Sequence, residues 1–300
     1  MESEPLSSET WPDEYKVDIA SLDEAQSESP FLRASFELLK EATGLTALAA
    51  GLTTNQSETG HDRNCAVLVG HLVRMTKLMR TLIRAVVDGH GGDQQMQLVR
   101  QFIDSASTLA YLLEDADDSG RFQSYLMDSL IAEREFLMDV RRQVADRGGK
   151  RLPIEERIEQ SIADTFASAG LDETQIPSRK KNGWPSAQER IALLGPVAYV
   201  AFRMGSGAIH GSWHDIVRNH LEEVSPGLYA PNVDAAPLRP QSFFAMALLG
   251  VDCARRYIER RFPDEAELVT PRYDRFVAKL NDADARHERY LANRTGAAAE

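Results

Sequence analysis

One run of this sequence sets chemistry-bearing side chains on a nearly uncharged background. Between Gly195 and Trp213 the only formal charge is Arg203, and Tyr199, Arg203, Ser206 and His210 recur at steps of four, three and four. That spacing puts the four on one face of a helix. A second stripe, Arg100, Asp104, Ser107 and Tyr111, repeats the same steps. The charges are complementary, so the two helices are predicted to face each other, with Asp104 neutralising Arg203 and the hydroxyls hydrogen-bonding His210. Val197, Val200, Ala201, Met204 and Ala208 line the opposite side of the 195–221 stretch, which predicts burial on both faces.

Two readings of such a layer stand side by side. As structure, it is a paired polar layer that fixes helix register, and loss of one member of a buried pair costs about 3–5 kcal/mol. As chemistry, a histidine beside an arginine can cleave RNA without a metal. His210 would take the proton of a 2′-hydroxyl while Arg203 holds the phosphoryl oxygens.

Metal chemistry fits less well. His210 and His214 are one turn apart, but Gly211 stands where H-E-x-x-H has its glutamate, and no E-x-x-H supplies a di-iron pattern. No metal and no cofactor is therefore expected. Gly205, Gly207 and Gly211 follow no strand and lack the G-x-x-x-x-G-K-[ST] of a phosphate cradle. They predict close backbone packing, or a kink near Gly205–Gly207 with a new helix beginning before His210.

The elements that must position these residues are helices. Apolar residues at helical spacing mark stretches at about 29–52, 61–87, 94–114, 122–145, 153–169, 187–194, 195–221, 241–262 and 271–293. Glycine- and proline-rich breaks separate them, notably 88–92, 148–149, 170–185 and 225–240. No alternating run of β-branched residues and no 20–50-residue repeat is present. The predicted fold is all-α, a bundle of about eight helices with no sheet.

Residues 1–28 read as an acidic, flexible arm, and 29–295 as a single helical domain. Residues 1–30 hold nine acidic residues against one lysine, so most of the net charge of −12 lies there. The remaining 270 residues carry only −4, which argues against a broad nucleic-acid-binding surface, and no DNA-binding motif occurs. A local basic site at Arg179-Lys180-Lys181 stays open. Cys65 and Cys253 read as small buried hydrophobes of a reducing compartment. The longest apolar stretch, 243–251, is far short of the roughly 20 residues that span a bilayer. With no basic-then-apolar leader, the expectation is a cytoplasmic protein without membrane association.

Three motifs together carry a resemblance. Arg100-x-x-x-Asp104 with Tyr111-Leu-Leu, then Trp184-Pro185-Ser186, then Tyr199-x-x-x-Arg203-x-x-Ser206-x-x-x-His210-Gly211-Ser212 resembles a widespread bacterial domain-of-unknown-function family. Its members are helical and show R-x-x-x-E, Y-R-x-x-S and H-G-S in that order. The likeness covers about 66–222, with Asp104 where glutamate is usual and Phe202-Arg203 in place of Tyr-Arg. It implies a fold and a site and brings no reaction. More distantly, Arg203-x6-His210 is similar to the R-x(4–6)-H signature of the HEPN ribonucleases, helical bundles of toxins and phage defence. That likeness implies a homodimer acting on RNA through a local site. The alternative is a non-catalytic interaction protein whose Arg/Asp/Ser/His layer is structural.

Overall fold

The computed structural model describes residues 11–52, 60–177 and 183–297. They form α1 (Ser29–Gly51), α2 (Arg63–Val87), α3 (Gly91–Glu114), α4 (Ser119–Ser129), α5 (Ile131–Asp146), α6 (Pro153–Ser168) and α7 (Ala187–Ala192). Then follow α8 (Pro196–His210), α9 (Trp213–Asn219), β1 (Leu221–Ser225), β2 (Leu228–Pro231), α10 (Pro240–Arg261) and α11 (Pro263–Ala297). The protein is overwhelmingly helical, and no described helix is long and apolar enough to cross a membrane.

The helices outnumber the eight expected, and a small sheet is present where none was predicted. The 122–145 stretch is two helices meeting at Leu130, where Leu130 and Ile131 are both buried and the backbone leaves ideal helix geometry (φ −90°, ψ −4°). The 195–221 stretch also divides, after His210 rather than before it. Gly211 adopts a left-handed conformation (φ 58°, ψ 47°), which glycine enters without steric cost, and the Ser212 hydroxyl caps α9 by accepting from Asp215 N. The chain then pairs Leu221 with Pro231 and Ser225 with Leu228 across a Pro226-Gly227 turn. These strands are too short and exposed to leave an alternating pattern in the sequence.

The chain's internal contacts group into two compact units. The first takes its described residues from Met1–Gly60, Leu68–Glu114 and Ala187–Glu300, the second from His61–Val67 and Asp115–Ser186. In the first, α10 packs on α1, α3 and α11 through Phe243, Phe244, Val251 and Tyr257, all nearly fully buried. Cys253 lies among them, and burial pushes its thiol up to about 12. Neither cysteine forms a disulfide. In the second unit, Leu130, Ile131, Leu137, Ile162 and Phe166 make the core joining α4, α5 and α6.

Of the acidic N-terminal stretch, residues 1–10 lie outside the described residues, as does Arg179-Lys180-Lys181. Residues 11–28 are part of the first unit. Leu22 is buried, Tyr15 N donates to Glu41 Oε2 (3.2 Å), and Asp23 pairs with Arg286. Lys279 Nζ donates both to Tyr15 O (3.1 Å) and to Glu41 Oε2 (2.7 Å).

His71 on α2 gives this unit a pH response. Burial first, then the charges of Arg74 and Arg190, push its imidazole down from 6.5 to about 4. The folded state therefore favours the neutral ring, and the unfolded chain takes up the proton first. The contribution is complete above the unfolded value and is lost as pH falls from 6.5 towards 4. Between pH 8 and pH 5 this one group should remove about 2 kcal/mol. Urea melts of wild type and His71→Gln at both pH values check this: the variant should show the shallower pH dependence, and equal slopes would refute it.

Candidate functional site

The two predicted stripes do lie on packed neighbours, because α8 packs on α3. The face of α8 that meets α3 is, however, rotated from the predicted one. Ala198, Phe202 and Gly205 are its buried residues, whereas Arg203 and His210 are exposed. One residue turns a helix by about 100°, so Arg203, next to the seated Phe202, is carried to solvent. The expected burial of both α8 faces fails with it: Val197 is 77 % exposed, Val200 59 % and Met204 52 %.

Asp104 consequently pairs with Arg100, one turn back on its own helix, and not with Arg203. Arg100 is the hub of the α3–α8 contact. Its Nε donates to Ser206 Oγ (3.0 Å), and its guanidinium carbon lies 3.4 Å from the Phe202 ring centroid. Ser206 Oγ in turn donates to Phe202 O, and Ser107 Oγ to Asp104 O. Tyr199 stacks on Phe202 with centroids 6.3 Å apart and planes at 13°. Ser107 is buried, and Tyr111 is half-buried on the same helix. Of the eight candidates, Arg100, Asp104 and Ser206 are thus joined, while Arg203 and His210 have no hydrogen bond or ion pair among the described residues.

Gly205 makes this approach possible. A Cβ there would stand 2.6 Å from Arg100 Cβ and 2.7 Å from the Met96 carbonyl oxygen. Gly205→Ala should therefore cost about 1–3 kcal/mol despite alanine's better helix propensity. Gly70, where an added Cβ meets nothing within 4 Å, is the control, and Gly70→Ala should gain up to about 1 kcal/mol. Thermal melts of both variants decide. Equal shifts would show that α3 and α8 do not meet closely at Gly205.

The outer side of the region is apolar to an unusual degree. Besides the α8 residues, Ile209, Trp213, Val224 and Leu228 are exposed, and Trp213 meets Tyr229 edge-to-face at 5.6 Å. Between α8, α9, the start of α3 and residues 236–239 lies a cavity of about 90 Å³. Met96, Met204, His214, Arg218 and Arg239 are among the residues lining it. His214 thus belongs to α9 while His210 ends α8, so the two do not share a continuous helix as a metal-binding pair would.

Comparison with known proteins adds a family. Residues 66–227 match a family of unknown function, DUF5677, and the chain belongs to it. No curated protein and no solved structure matches the chain.

Proposed function

We propose that this DUF5677 member works as a homodimer joined through the exposed face of α8 and α9, and that the arginine and histidine brought together there cleave RNA without a metal. The observation that carries the reading is the exposure of Arg203 and His210, unpaired among the described residues, on a helix that also exposes large apolar side chains. A residue that braces the fold is paired and buried. These two are neither.

Their positions suit a two-fold axis. The exposed residues are spaced symmetrically about Ser206–Gly207: Met204 and Ile209, Arg203 and His210, and Val200 and Trp213 stand equally far on either side. An isologous interface needs this, since residue i of one copy meets residue j of the other and j meets i. Two α8 helices crossing antiparallel about this point bring Arg203 of one copy to His210 of the other, with Gly207 at the crossing. Within one chain the two are seven residues, about 10 Å, apart along the helix axis, too far to share one phosphate readily. Paired across the axis, the histidine takes the 2′-hydroxyl proton and the arginine stabilises the phosphoryl oxygens.

The second reading is a docking module without catalysis. The breadth of the apolar surface, which runs from Val197 to Leu228, favours it. The first reading predicts that wild type sediments as a dimer and that Met204→Asp, with unchanged circular dichroism, sediments as a monomer. A monomeric wild type at micromolar concentration contradicts it. RNA degradation separates the two readings.

A further inference from the structure

We propose that Asp284, His287 and Glu288 of α11 form a binding site for a divalent transition-metal ion, with Glu28 orienting the imidazole. A nitrogen of His287 and one carboxylate oxygen each from Asp284 and Glu288 lie within 4.8 Å of one another. The helix explains the convergence. Side chains lean towards the helix N-terminus, so His287 and Glu288, three and four residues on, reach back on either side of Asp284.

The His287 ring is fully buried, packed against Phe31 at 4.9 Å and Phe244 at 6.2 Å between centroids. Its two nitrogens differ. Nε2 lies 3.3 Å from Glu28 Oε1, while Nδ1 is buried with no hydrogen-bond partner. A proton on Nε2 donated to Glu28 leaves the Nδ1 lone pair as an acceptor without a donor. Metal-bound histidines commonly have a carboxylate on one ring nitrogen in this way, and here Nδ1 is the nitrogen left without a partner. Beside it, two carboxylates share a site and repel each other. An orphaned lone pair and a like-charged carboxyl pair are each unfavourable, and one cation relieves both.

The donor set names the ion's class. One imidazole and two carboxylates suit Zn²⁺, Mn²⁺ or Fe²⁺ better than Ca²⁺ or Mg²⁺, which take oxygen ligands. Asp284 is half-buried and Glu288 exposed, so the remaining coordination positions are open to water. Because Glu28 immediately precedes α1, a bound ion would tie the start of α1 to α11.

The test uses the full chain freed of metal by chelation and titrated with ZnCl₂ by calorimetry, with Co²⁺ absorption as a second readout. Wild type should bind one strong equivalent and melt at a higher temperature with zinc. Glu288→Gln, at an exposed position that leaves the core intact, and Asp284→Asn should each weaken that equivalent about 10–100-fold and lose most of the shift. Glu28→Gln should weaken it by a similar factor, through the ring's orientation alone. Absence of binding below about 1 mM, or equal zinc affinity in wild type, Asp284→Asn and Glu288→Gln, overturns the proposal.

Discussion

Glu41→Ala should destabilise the protein by about 3–5 kcal/mol. Glu41 is fully buried on α1, with its carboxylate 2.6 Å from Arg272 Nη1 and 2.7 Å from Lys279 Nζ. Arg272 is itself buried, at 8 % exposure, and among the described residues its second ion-pair partner is the distant carboxylate of Glu14 (3.7 Å). Alanine at 41 would leave a guanidinium and an ammonium facing each other in a low-dielectric interior, and the uncompensated charge dominates the cost.

The effect has a local signature. Tyr15 N donates to the same carboxylate, so residues 11–28 should loosen and trypsin should cut at Lys16 more readily. The double variant Glu41→Leu/Arg272→Met should lose less than Glu41→Ala, because it removes the stranded guanidinium as well. Urea unfolding of the three proteins tests the account. A loss below about 1 kcal/mol for Glu41→Ala would mean that water reaches the cluster and replaces the carboxylate.

His210→Ala carries the other large expectation. If the imidazole is the general base, removing it should lower RNA degradation by about 10²–10⁴-fold. Stability should barely change, since His210 is exposed and has no partner among the described residues. A variant that lost both activity and fold would point back to a bracing role. Arg203→Ala should likewise spare the fold and remove the phosphoryl contact, whereas Arg100→Ala should destabilise. Arg100 holds Asp104, Ser206 and the Phe202 face together, and Arg203 holds nothing comparable.

That contrast marks where the sequence was legible. Helical periodicity located most elements well. The stretch read as 241–262 is Pro240–Arg261, and that read as 94–114 is Gly91–Glu114. It also identified α3 and α8 as partners. It misjudged the rotation of α8, because the charge complementarity of Arg203 with Asp104 points the polar stripe inward, whereas Arg203 and His210 mark the exposed side. Val197, Val200 and Met204 looked like core residues, yet they are on the surface.

Three other features left weaker marks. The break at Leu130 falls inside a continuous apolar pattern. Glu41 and its cations are more than 200 residues apart in sequence, and no local signal connects them. Asp284-x-x-His287-Glu288 was visible, but its importance depends on burial of the ring and on Glu28, which only the fold brings close.

The central claim, a site shared between two copies, is tested most directly by mixing two inactive proteins. Arg203→Ala and His210→Ala, each prepared alone, should degrade RNA poorly. Mixed and allowed to exchange subunits, they form heterodimers in which one site keeps both residues and the other neither. Random exchange at equal amounts should restore about a quarter of wild-type activity. Activity that stays at the level of the separate variants, with subunit exchange confirmed, would contradict a composite site.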